Sequence, residues 1–242
     1  MRRVVALLIS GCLSLMVDSI PAAAADVATS WHDSFVTRLE ALALLQTLNS
    51  DLLSHASATL TLEGWCATHH LASPAQVVAE LVKDGERPPT AAMREQLRVS
   101  DTERVRYRHV RLRCGERVLS EAENWYIPGR LTPEMNRLLE TTDIAFGRVV
   151  QTLQFRRQTL EATLIWSPLP LGWESAPPAQ EGLGSSKRLE LPPNVLRHRA
   201  LLVLPEGLPI SEVIETYTSA VLAFPEPSTA RRTSAPQRPS AR

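Results

Sequence analysis

Glu212 and Glu215 lie three residues apart in the stretch Ile210 to Tyr217, whose β-branched and aromatic residues read as a strand. Successive strand side chains point to opposite faces, so an odd spacing sends the two carboxylates to opposite sides of a sheet. One of them is expected to point inward, and an enclosed carboxylate is where a function could reside. The strand is the return arm of a hairpin. An apolar run, Leu201 to Leu204, precedes it, and Pro205-Glu206-Gly207-Leu208-Pro209 supplies the turn. A second hairpin is expected over 105–127. In its first arm Arg106, Arg108, Val110 and Leu112 share one face, and Tyr107, His109, Arg111 and Arg113 share the other. Cys114-Gly115-Glu116 turns the chain, Val118 to Ile127 returns, and Pro128-Gly129 stops the arm. Both hairpins open on Arg-His (108–109 and 197–198). Both return arms carry two acids and then a tyrosine: Glu121, Glu123, Tyr126 and Glu212, Glu215, Tyr217. The repeat hints at an internally duplicated half-sheet.

Other reactive groups are sparse. His69 and His70 are adjacent and so do not share a helix face, and no Cys/His spacing suggests a metal site. The 26 basic and 26 acidic residues balance, which gives no electrostatic reason to expect nucleic acid as a partner. The first 25 residues read as a secretory signal: Arg2-Arg3, an apolar run from Val4 to Val17, then Pro21-Ala22-Ala23-Ala24-Ala25. The run is short for a membrane span, and the expected location is the periplasm or the exterior. A competing reading takes Ile9-Ser10-Gly11-Cys12 as a lipoprotein box, with a lipid anchor on Cys12. After cleavage at residue 25, Cys66 and Cys114 remain. They either pair in an oxidising compartment or stay as buried thiols, and the sequence leaves both open.

The elements that must position these groups follow from periodicity. Phe35, Leu39, Leu42, Leu45 and Leu48 recur at helical spacing, giving a helix over about 31–55. Ser57 to Leu62 is expected to be β-prone or a turn, and Ala75 to Lys83 fits helix or strand equally. Thr132-Pro133-Glu134 opens a helix, with Thr as cap and Pro at its first position. Arg148 to Leu164 suggests a short helix running into a strand. Residues 168–193, rich in Pro, Gly and Ser, read as a mobile loop, and 225–242 as a disordered tail. Antiparallel hairpins with a few helices make this an α+β fold, an antiparallel sheet with helices packed on it.

Several of these pieces fall in an order that resembles the chorismate pyruvate-lyase family and the related effector-binding domains of bacterial transcription regulators. Thr59-Leu60-Thr61, Arg108-His109-Val110-Arg111-Leu112, Ala122 to Pro128, Leu138 to Gly147, and Gly207-Leu208-Pro209 through Glu215-Thr216-Tyr217 carry the resemblance. It implies one chorismate lyase-like domain over 31–224. The lyases split chorismate into 4-hydroxybenzoate and pyruvate without metal or organic cofactor. By that resemblance Arg108 is the carboxylate clamp, since a planar guanidinium offers two parallel hydrogen bonds. Glu215 is the acid near the leaving ether oxygen, with Glu212 as its fallback. Leu60 and Phe146 wall the pocket and lend backbone donors. The sequence departs from the family at Phe146, where Leu is expected, and at Ile144-Ala145, where Pro is expected. The Gly207–Glu215 spacing is one residue too long, which calls for a bulge. Export sits awkwardly with a cytoplasmic metabolite. The alternatives are therefore a lyase, a non-catalytic module for a small cyclic or aromatic carboxylate, and a structural or interaction domain with a filled pocket.

Overall fold

The computed structural model describes residues 31–175 and 187–227. Residues 1–30, which include the expected signal segment, residues 176–186 of the Pro-rich loop and the tail beyond residue 227 lie outside the described residues. The chain forms α1 (Phe35–Ser54), α2 (Ala58–Thr68), β1 (Val77–Leu81), α3 (Ala91–Leu97), β2 (Arg106–Cys114) and β3 (Arg117–Tyr126). These are followed by α4 (Pro133–Thr141), α5 (Phe146–Val149), β4 (Arg156–Leu164), β5 (Asn194–Val203) and β6 (Pro209–Thr218). All six strands make one antiparallel sheet in the order β1-β2-β3-β6-β5-β4. The fold is α+β, with helices on a single sheet.

Two three-stranded halves, β1-β2-β3 and β6-β5-β4, meet along the β3–β6 ladder, where Glu123 faces Ile214. The two Arg-His dipeptides are one residue out of step. Arg108 and His198 are the buried members, while His109 is half-buried and Arg197 exposed. The ladder slips once in β6: Leu202 pairs with Ser211 and Val203 with Pro209, so Ile210 is the extra residue between Gly207 and Glu215.

One face of the sheet carries Val110, Leu112, Ala122, Val213 and Tyr217. Against it pack Ala41, Leu45, Leu48 and Leu52 of α1 and Leu62, Trp65 and Cys66 of α2. α4 and α5 close the end of the same face through Met135, Leu139, Phe146 and Val149, against Tyr126, Leu202 and Ile210. The other face holds Trp125, Ile127, Leu201 and Val203 under Met93 and Leu97 of α3.

One local expectation changes, and one element is new. Ser57–Leu62 opens a helix rather than a strand. Ser57 takes an extended backbone conformation and its hydroxyl accepts from the Leu60 N–H, a cap that starts α2. Burial at Ala58, Leu62, Trp65 and Cys66 then follows helical spacing. α3 has no apolar stripe long enough to read. It is fixed by its Thr90 cap and by Arg98 in the left-handed region at its end. Around the Pro-rich loop, Leu169 and Leu189 are buried, and the Leu189 N–H donates to the Trp31 carbonyl. At the start of the tail the Glu226 carboxylate accepts from the His32 N–H. Among the described residues no helix is long and apolar enough to cross a membrane.

Cys66 of α2 and Cys114 at the end of β2 are bonded, their Cα atoms 6.5 Å apart across 48 residues of sequence. The bond ties the helical layer to the sheet. A loop of that length constrains the unfolded chain by about 4 kcal/mol. The double variant Cys66→Ala, Cys114→Ala should therefore lose about that much stability in urea unfolding. An unshifted midpoint would show that the bond adds nothing to the fold.

Candidate functional site

Between the sheet and the helices that cover it lies a small enclosed cavity. Arg108, Val110, Asn124 and Glu215 line it from the sheet, together with Arg157 of β4. Ser57, Ala58 and Thr59 reach it from the start of α2, and Phe146 and Gly147 from α5. Gly147 lets these two helices approach: a Cβ there would sit 2.9 Å from Ser57 Oγ. The cavity holds about 40 Å³. About 10–15 Å³ of such space holds one water, so the cavity has room for a few waters or a small polar group such as a carboxylate.

Strand alternation places Arg108 here, as its spacing predicts. The side chain is 5% exposed. Its Nε donates to the Leu139 carbonyl at 3.1 Å, and Nη2 donates to the carbonyls of Thr142 at 3.4 Å and Ile144 at 3.1 Å. These oxygens lie at or just past the C-terminus of α4, the negative end of its dipole. No carboxylate among the described residues pairs with Arg108, and none of its hydrogen bonds there uses Nη1. Burial lowers its pKa, yet a guanidinium stays protonated.

Glu215 meets Arg108 in the same cavity but has partners of its own. Its Oε2 accepts from Arg157 Nη2 at 2.5 Å and from the Tyr217 hydroxyl at 3.0 Å. The Arg157 and Glu215 side chains are 3% and 7% exposed, a fully enclosed ion pair. Burial alone would lower Arg157, but Glu215 and Tyr217 outweigh it and the net shift is upward. Burial, with Glu215 adding to it, pushes the Tyr217 phenol well above its ordinary value, so Tyr217 stays a donor. In both contacts Glu215 is an acceptor, the opposite of what a proton donor to an ether oxygen does. Two arginines and one carboxylate leave the cavity wall with one uncompensated positive charge.

His198 extends the network. It is fully buried, opposite Glu215 on the β5–β6 ladder, with its ring edge-on to Tyr217. Its Nε2 lies 2.8 Å from Asn49 Oδ1, which makes Nε2 the donor and leaves Nδ1 buried without a partner. Burial first, then the Arg157 charge, depresses His198 to about 4, with Glu215 pulling the other way.

The remaining expected site residues divide. Phe146 is buried and lines the cavity. Leu60 does not line it; it is 38% exposed on α2 and its N–H is taken by the Ser57 cap, because residues 58–68 are helical and turn it outward. Glu212 is buried too, on the opposite face under α3, where Arg199 Nε donates to it at 2.7 Å. Both acids are thus enclosed, since α3 covers the face that the sequence left open to water. Arg157, His198 and Tyr217 are the additions. Arg157 sits beside Arg156 in a strand where alternation must send one of the two inward, and that is the signal available for it.

An antiparallel-sheet domain with a buried cationic cavity is the class these features define. The chain belongs to the same family as uncharacterized protein y4mC of Sinorhizobium fredii (strain NBRC 101917 / NGR234). It is 49% identical to that protein over 218 residues, covering 89% of this chain and 91% of the other. No family model matches. Among solved structures the chain resembles the effector domain of PhnF from Mycobacterium smegmatis, at TM-score 0.44 and 10% identity, covering 68% of this chain and 89% of that one. It also resembles a GntR-family transcriptional regulator from Enterococcus faecalis V583, at TM-score 0.37 and 11% identity, covering 59% and 94%. A third likeness is the possible transcriptional regulator YydK from Bacillus subtilis, at TM-score 0.36 and 17% identity; it covers 59% of this chain and 57% of that one. Likenesses this distant concern the course of the chain alone.

Removing one partner of an enclosed ion pair strands the other. Arg157→Met should cost about 3–5 kcal/mol in chemical unfolding, and adding Glu215→Gln should restore much of it. A double variant no better than the single one would contradict the pairing. His198 titrates at its ordinary 6.5 in the unfolded chain and near 4 in the folded one. Between those values the unfolded state binds the extra proton, so stability falls as pH drops through this window, by roughly 3 kcal/mol in all. His198→Gln keeps a donor for Asn49 and should flatten that part of the stability–pH curve; an unchanged slope would assign it to other groups.

Proposed function

We propose that this protein is a non-catalytic binding module for a small carboxylate, which docks its anionic end on Arg108. The observation that carries this reading is Arg108 itself, buried in a cavity wall with three carbonyl acceptors and no carboxylate partner among the described residues. Burying a charge costs several kcal/mol, and hydrogen bonds from a charged donor return about 1.5–3 kcal/mol each. Three carbonyls therefore hold the guanidinium in place but do not neutralise it. A carboxylate entering the cavity supplies the missing charge, and the first-turn N–H groups of Ala58 and Thr59, which have no intrahelical acceptors, are on hand at the same wall.

Chorismate cleavage is the finer reading suggested by the sequence. It needs Glu215 to deliver a proton, while Arg157 and Tyr217 both donate to that carboxylate. It also needs the substituted ring to sit beside Arg108 and Glu215, where the cavity is small. Binding without turnover fits these features better. The disulfide joining two fully buried cysteines supports an oxidising compartment outside the cytoplasm, as the N-terminal segment suggests.

Benzoate and 4-hydroxybenzoate should raise the melting temperature of the protein in a dose-dependent way. Arg108→Met should abolish the response, and Arg108→Lys, which keeps charge but loses the fork, should weaken it. Circular dichroism of each variant separates lost binding from lost folding. Incubation with chorismate should release no 4-hydroxybenzoate. If no carboxylate moves the melting temperature, the binding reading falls; if chorismate is cleaved, the non-catalytic reading falls.

A further inference from the structure

The enclosed cavity has a much larger neighbour. A groove of about 710 Å³ runs between α1 and α2 and is closed at one end by residues 151–155. Leu44, Leu60, Trp65 and Phe155 give it apolar walls, and exposure at Leu60 opens it to solvent. Its size lies within the range of small-molecule sites, roughly 300–1,000 Å³. The two spaces share three lining residues, Ala56, Ser57 and Phe155. The α1–α2 joint and the buried Phe155 ring are thus the partition between them.

We propose that the ligand is an amphipathic monocarboxylic acid, with its carboxylate on Arg108 in the inner cavity and its apolar chain in the α1–α2 groove. The inference rests on the binding reading above and names the class of ligand. Three observations carry it. The inner cavity is small, with room for a carboxylate or a few waters, so the bulk of an extended ligand lies outside it. The space on the other side of the shared wall is large and apolar. The inner wall carries one uncompensated positive charge, which matches a monoanion: Arg157 is already spent on Glu215, and Arg108 has no anion among the described residues. A dicarboxylate would bring a second charge into apolar surroundings, where an unpaired ion is costly. For one ligand to fill both spaces the Phe155 ring that lines them must turn aside, and Leu60 belongs to the bed for the chain rather than to the head site.

The test is a titration of the full chain with acetate, butanoate, hexanoate, octanoate and decanoate, followed by calorimetry, with benzoate and octanol beside them. Affinity should rise about fourfold per added methylene until the groove is filled. Octanol, which lacks the anion, should not bind. Leu60→Asp, a change on an exposed helix position, should flatten the chain-length gradient, and Arg108→Met should weaken every carboxylate. Benzoate binding with no gradient overturns this inference and leaves the binding reading standing. A gradient that survives Leu60→Asp, or that octanol shares, also overturns it, because the chain then lies elsewhere or binds without its head group. If none of the carboxylates binds, the reading beneath it fails as well.

Discussion

A guanidinium enclosed by protein, held by carbonyls and given no carboxylate partner among the described residues, is the constraint around which this domain is arranged. Arg108 is delivered inward by the two-residue repeat of β2, between Val110 on its own strand and Asn124 across the ladder. Its charge is costly there, and the chain answers with the carbonyls that α4 leaves open at its C-terminus. From there the chain turns through residues 142–144 into α5, whose Phe146 and Gly147 line the cavity against the start of α2.

The second arginine has the opposite fate. Arg157 arrives from the far edge of the sheet and is met by Glu215 and, behind it, by Tyr217 and His198. This cluster is buried in the layer that α1 packs against, and its unmatched atoms, Arg157 Nε and His198 Nδ1, sit within it. A fully enclosed pair is held by geometry rather than by net gain, since desolvation offsets much of the attraction. Within the cluster Glu215 accepts from both Arg157 and Tyr217.

The hairpins, the inward turn of Arg108 and the cap of α4 were all legible in the sequence, because each rests on short-range pattern: alternation along a strand, a Pro/Gly turn, a Thr-Pro helix start. The same local logic misread Ser57–Leu62. Thr59 and Thr61 look β-prone, and what decides the matter is the burial of Leu62, Trp65 and Cys66 against the sheet, a tertiary fact. It was also silent about α3, whose seven residues are too few for a period and whose packing on Trp125 and Leu201 encloses Glu212. Arg157 went unseen because its partner Glu215 lies 58 residues away and two strands over. No spacing rule links positions brought together only by the strand order. Of the residues named by the family-like order of motifs, the fold brings Arg108, Phe146 and Glu215 to one cavity and puts Leu60 on α2, facing the neighbouring groove.

A crystal structure of the protein grown with saturating octanoate reads the central claim directly, at the Arg108 guanidinium. The account predicts a carboxylate within about 3 Å of Nη1, with the three carbonyl bonds to Nε and Nη2 retained. An inner cavity holding only water, with the acid bound elsewhere or Nη1 turned onto a protein acceptor, would contradict it.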